Sequence, residues 1–154
     1  MSATSRKSKP KTRDVLEREI IVNLAHFVTD CLSALSNLTK KHGISPVHHN
    51  VLRILRGADA CGLPCGTISE RMINKEPDIT RLLDRMEKQD LIVRARDQAD
   101  RRVVITRITE HGLKILAELD APVAALQHQQ FEHVSNEKLE ILLAIVNEIR
   151  EQPK

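Results

Sequence analysis

The chain has 154 residues, 41% of them hydrophobic, with no Trp or Tyr and only Phe27 and Phe131; it suits one domain or one subunit of a small oligomer, with a helical core of Leu, Ile, Val and Ala. Its formal net charge of +3 is unevenly spread: residues 1–13 hold five bases and no acid, 45–109 twelve bases against nine acids, and 110–154 four bases against eight acids, so one end is suited to face a polyanion. No run of 18 apolar residues argues for a membrane span, and three cysteines (Cys31, Cys61, Cys65) are too few for a disulfide scaffold and suit a reducing cytoplasm.

Residues 1–13 lack apolar periodicity and are expected to be a flexible basic tail, with neither the apolar stretch nor the cleavage site of a signal peptide after it. From about 14 to 41, Leu16, Ile20, Leu24, Phe27, Cys31, Leu35 and Leu38 recur every three or four positions, which predicts a long helix whose apolar stripe packs on a second subunit as well as its own. His42 and Gly43 stop it. Ser45-Pro46 starts a short helix with Val47, Val51, Leu52 and Leu55 inward. A loop over 57–64 leads to a third helix over 65–72, with Ile68 and Met72 inward. A tight connection then leads to a fourth helix from about Pro77, burying Ile79, Leu82, Leu83 and Met86. Residues 91–97 and 102–108 are rich in β-branched side chains around the turn Gln98-Ala99-Asp100-Arg101, which predicts an antiparallel hairpin. Thr109 caps a helix through Leu119 that Pro122 should kink or interrupt. Ser135 caps the last helix, with Leu139, Leu142, Leu143, Val146 and Ile149 on one side. The expected divisions are the tail 1–13, a helical segment 14–44, a central unit 45–109 and C-terminal helices 110–154.

Two short helices joined by a tight turn are what a helix-turn-helix requires. In the second of them Asp78, Thr80, Arg81 and Arg85 fall at or near the face opposite the apolar one. Arginine reads guanine through a bidentate pair, and threonine meets a base edge or a thymine methyl. Taken alone, these are equally well solvated charges on an ordinary helix. The hairpin shifts the balance, because Arg94, Arg96, Arg101, Arg102 and Arg107 crowd it while Asp97 and Asp100 offset only part of that charge. An arginine-bearing tip suits a narrow minor groove, where negative potential is enhanced.

The run Asp78-Ile-Thr-Arg-Leu-Leu-Asp-Arg-Met-Glu-Lys-Gln-Asp-Leu-Ile-Val-Arg94, then Asp100-Arg101-Arg102, then Ile108-Thr109-Glu110-His111-Gly112, resembles the MarR family of bacterial transcription regulators. The likeness covers about residues 45–115; the flanking helices match only in length and pattern. The resemblance implies a mainly α, α+β, winged helix-turn-helix whose long N- and C-terminal helices interlock in a homodimer. It implies two heads on the double-stranded DNA of a pseudo-palindromic operator, usually as a repressor that answers to a small-molecule effector. It places Thr80, Arg81 and Arg85 on the recognition helix, Arg102 as the wing arginine in the minor groove and Asp100 as its brace through an ion pair. Asp90 stands where the family usually has glycine, so a strained helix end is expected. With Asp78, Arg94, Arg96 and Arg101 these make up the expected DNA-contacting set.

Other constellations are weaker. Cys61 and Cys65 invite a thiol redox sensor, but no Lys or Arg lies within three residues to lower a thiol pKa; Cys31 suits core packing. The seven histidines lack ligand spacing and suit the surface. No phosphate loop, nucleophile elbow or carboxylate pair argues for an enzyme, a cofactor or a metal. A winged helix that docks on a partner protein stays open as the alternative, as does redox sensing. The effector, the operator and the sign of regulation are not legible.

Overall fold

The computed structural model describes residues 11–58, 61–73, 76–98 and 100–151. The tail's Arg6, Lys7 and Lys9, and Ala99 of the expected turn, lie outside the described residues. In chain order the elements are α1 (Arg13–Lys40), α2 (Pro46–Arg56), β1 (Leu63–Pro64), α3 (Cys65–Arg71), α4 (Ile79–Lys88), β2 (Ile92–Arg96), β3 (Val104–Ile108), α5 (Glu110–Phe131) and α6 (Asn136–Arg150).

Short polar signals set the helix ends. At the end of α1, Gly43 takes φ 71°, and the Ile44 and Gly43 amides donate to the carbonyls of Thr39 and Lys40 at 3.3 and 3.1 Å. That pattern satisfies the helix's last acceptors. At the start of α2 the Ser45 hydroxyl accepts from the His48 amide at 3.3 Å, and His48 Nδ1 accepts from the Ser45 amide at 3.4 Å. This is a reciprocal capping box with histidine in the usual Glu or Gln place. Asp78 caps α4, its carboxylate accepting from the Arg81 amide at 3.0 Å. The end of α4 repeats the geometry of α1: Asp90 has φ 56°, the one positive-φ residue other than glycine among the described residues. There the Leu91 and Asp90 amides donate to Met86 and Glu87 at 3.0 Å each. The strain expected at Asp90 is therefore present, and the turn it allows delivers the chain directly into β2.

The sheet has three antiparallel strands in the order β1-β3-β2. β2 and β3 pair from Ile92 with Ile108 to Arg96 with Val104, and Leu63 of β1 sits opposite Thr106. The loop expected over 57–64 thus ends in a strand, which at two residues is too short to show an alternating pattern. A second difference concerns Pro122: α5 continues through it. Val123 beyond the proline packs on the same core as Leu119 before it, which offsets the missing amide donor.

The core contains Ile44, Val51, Leu52, Leu55, Ile68, Met72, Leu82, Leu83, Met86, Leu91, Ile92, Ile115, Leu116 and Leu119. All of it lies between residues 44 and 119, so the central unit is built around its own interior. The terminal helices are tied on by specific contacts. The rings of Phe27 and Phe131 lie 5.4 Å apart, His42 Nδ1 is 3.2 Å from Glu118 Oε2, and Arg56 donates twice to Asp120 at 2.8 and 2.9 Å. Yet α6 buries no residue and α1 buries only Thr39. The predicted stripe of α1 lies open, with Leu16, Ile20, Leu24 and Phe27 all exposed. Cys31, expected in the core, is half-buried on that same uncovered helix.

Candidate nucleic-acid interface

Core packing fixes which face of α4 is free. Leu82, Leu83 and Met86 are buried, so the helix turns Thr80, Arg81, Arg85 and Lys88 outward, all four exposed. Arg81, Arg85 and Lys88 stand at i, i+4 and i+7 and therefore share one face. Lys88 was overlooked in the sequence, although its spacing from Arg81 could have shown it. Arg81 Nε lies 3.2 Å from Asp78 Oδ2, with the arginine side chain 84% exposed. Asp78, expected to touch DNA, is engaged as the helix cap and as this arginine's partner.

The hairpin divides its arginines rather than gathering them. Arg94 and Arg96 sit opposite Thr106 and Val104, while Arg107 sits opposite Val93. Since alternate residues point to opposite faces, Arg107 leaves the side shared by Arg94 and Arg96. Arg94 is turned inward on to α4. Its backbone amide and Nε donate to Glu87 at 3.0 Å each, and its terminal nitrogen to Glu87 at 2.7 Å and Asp84 at 2.5 Å. These bonds from Arg94 hold the Glu87 carboxyl below its ordinary pKa, so Glu87 stays ionised. At the tip Arg96, Arg101 and Arg102 are exposed. The Asp97 amide donates to the Val103 carbonyl and the Val103 amide to the Asp100 carbonyl, both at 2.9 Å. The Asp100 carboxylate accepts from the Arg102 amide at 3.0 Å, so among the described residues it braces the tip by a backbone hydrogen bond rather than an ion pair.

Behind the head, α2 and α5 bound a hollow of about 160 Å³ that includes His49, Arg53, Asp120 and Gln127. Val123 and Ala124 are its apolar lining, so its walls are mainly polar. His49 itself is 4% exposed, which corrects the expectation of a surface position for this histidine. Its pKa is lowered first by burial and then by Arg53 and Arg56; that of His48 is lowered by burial and by Arg85. A histidine held below its ordinary value, about 6.5, contributes stability above that pH and loses it as the pH falls toward the depressed value. The urea midpoint should therefore drop between about pH 7 and pH 5, and His49→Gln should remove part of the drop. A flat midpoint across that range would refute the assignment. Among the described residues no cluster of three or more metal-ligating side chains occurs. Cys61 is exposed and Cys31 and Cys65 are half-buried, all as free thiols. Burial first, then Asp30, raises the Cys31 pKa, which leaves less of the reactive thiolate.

Residues 44–104 match the family model described as MarR family. Over 102 residues the chain is 29% identical to the HTH-type transcriptional regulator MhqR of Bacillus subtilis (strain 168), a match covering 60% of this chain and 68% of that protein. Among solved structures it is similar to Sco3205, a MarR family transcriptional regulator from Streptomyces coelicolor in complex with DNA. There the TM-score is 0.81 at 18% identity, over 96% of this chain and 95% of that one. It is also similar to CouR from Rhodococcus jostii RHA1, bound to p-coumaroyl-CoA, with TM-score 0.76 at 22% identity over 90% and 96% of the two chains. At such identities these two likenesses establish the fold, a winged helix-turn-helix flanked by long helices.

Proposed function

We propose, from the match of residues 44–104 to the MarR family model, that the chain is a sequence-specific, DNA-binding transcription regulator. It acts as a homodimer on a pseudo-palindromic operator, as a repressor released by a small-molecule effector. The observation that carries this reading is the pairing of two exposed basic prongs on one rigid head. Arg81 and Arg85 stand on the free face of α4, and Arg101 and Arg102 at the tip of the β2–β3 hairpin. The core fixes the base of both, so α4 can lie in the major groove while the wing reaches the adjoining minor groove.

The uncovered apolar faces of α1 and α6 support the dimer. By length and composition α1 would also pass for a membrane span, with a mean hydropathy of 1.2 over 18 residues. Asn23, His26 and Asp30 interrupt that stretch, and an aspartate at mid-bilayer costs about 2.5–3.5 kcal/mol. A partner's helices cover the same stripe while leaving those side chains at a wet rim. A twofold pair also supplies the spacing that two half-sites one helical turn apart require.

The hollow between α2 and α5 lies where the head meets the terminal helices. An occupant there would change the angle between them, and so the separation of the two recognition helices. Arg53, beside the Arg56–Asp120 pair, suits a carboxylate or another small anion.

The test is DNA binding to the sequence upstream of the chain's own gene, against a scrambled duplex, across a salt series. Arg81→Ala should cost about 1–3 kcal/mol and relax base choice at one position in each half-site. Arg102→Ala should weaken binding to all targets. Equal affinity for both duplexes would overturn the proposal and favour a head that docks on protein.

A further inference from the structure

We propose that Arg94 is a positioning residue, which locks the wing to the recognition helix and does not itself touch DNA. The inference rests on the DNA-binding reading above and assigns a role within it.

Arg94 lies in β2 with its side chain 22% exposed, and Asp84 and Glu87 lie on α4 one turn apart. Three donors of one residue are spent on Glu87 (the backbone amide, Nε and a terminal nitrogen), and that terminal nitrogen also reaches Asp84. Between Glu87 and Arg94 the chain makes its reversal at Asp90, whose backbone holds a left-handed conformation. The Asp90 carbonyl accepts the Thr109 hydroxyl at 2.6 Å. The turn thus lies within the six-residue span between Glu87 and Arg94, and the clamp closes that span from α4 to β2. A planar guanidinium is needed for this: it bridges two carboxylates in a fixed plane, whereas an ammonium is a point charge. The clamp has an electrostatic effect as well. Asp84 and Glu87 share α4 with Arg81 and Arg85, and without a partner they would repel the phosphates that those arginines approach.

The clamp makes a prediction opposite in sign to simple charge counting. Removing an acid beside DNA should tighten binding, yet Glu87→Met should weaken it, because the wing loses its anchor. The experiment compares the full chain with Arg94→Met, Glu87→Met and the double variant, by operator affinity over a salt series and by amide exchange without DNA. Each single variant should bind about tenfold more weakly, with the double no worse than the weaker single, since the two act as one unit. The Asp97 and Val103 amides at the wing should exchange faster in both single variants, and the salt slope should stay as in the wild type. Additive losses would overturn the proposal. So would a Glu87→Met variant that binds as well as or better than wild type beside an Arg94→Met variant whose slope falls by about 0.9, the mark of one lost phosphate contact. Should Arg94→Met fail to fold, Arg94→Lys keeps the charge and loses the bridge: weakened binding supports the clamp, wild-type binding sinks it. A wild-type chain with no preference for its operator would defeat the functional reading by itself, while unchanged exchange at Asp97 and Val103 would defeat the clamp.

Discussion

Leu142→Asp combined with Ile149→Asp should convert the purified chain to a monomer in sedimentation and lower operator affinity by about 10²–10⁴-fold, the gain that linking two binding modules supplies. Leu142 and Ile149 lie one above the other on α6, 42% and 53% exposed in the single chain. If the chain worked alone, an acid at either site would be a surface change worth within about 0.5 kcal/mol. If the apolar faces of α1 and α6 meet a second copy, the same acids become buried charges without partners, which interfaces do not tolerate. The head is remote from these sites in sequence and has its own core, so helical content should be kept. A variant that keeps both its assembly state and its affinity would remove α6 from the interface.

Gly112→Ala should destabilise the chain by about 1–3 kcal/mol, measured as a lower urea midpoint with an unchanged denaturant slope. The sign is informative, because alanine in a helix is ordinarily better than glycine by about 1 kcal/mol. Here a Cβ would stand 2.4 Å from the Leu91 carbonyl oxygen, 2.9 Å from Ile108 Cγ1 and 3.2 Å from Leu52 Cδ2. The carbonyl cannot easily retreat, since it accepts the Thr109 amide at 3.2 Å, while the Thr109 hydroxyl accepts the Gly112 amide at 3.0 Å. The first turn of α5 is thus pressed against the place where α4 hands over to β2. A neutral or stabilising Gly112→Ala would show that this contact gives way.

Much of the head was legible in the sequence because its signals are local. Ser45-Pro46, Gly43, Asp90 and Thr109 mark ends through their own backbone chemistry, and the apolar spacing of α4 fixed which face holds Arg81 and Arg85. What escaped depends on distant partners. β1 exists only because β3, some forty residues later, offers Leu63 and Pro64 a ladder. His49 is buried because α5 covers α2, which no periodicity within α2 reveals. Arg94 looked like one more wing cation until the reversal at Asp90 brought it over Asp84 and Glu87. α5 outlasts Pro122 because its packing continues on both sides of the proline. The apolar spacing of α1 marked one stripe, and Leu16, Ile20, Leu24 and Phe27 on it lie open in the single chain.

The aromatic pair that pins α1 to α5 joins Phe27 to Phe131, and that separation matters during synthesis. At about 5–20 residues per second, the ribosome needs roughly 5–20 s to deliver the second ring after the first. Throughout that interval Phe27 lacks the ring it packs on, and the rest of the α1 stripe stays open even in the finished chain. A helix this apolar, made roughly a hundred residues before its aromatic anchor, is a stretch where unwanted pairing between unfinished chains can begin.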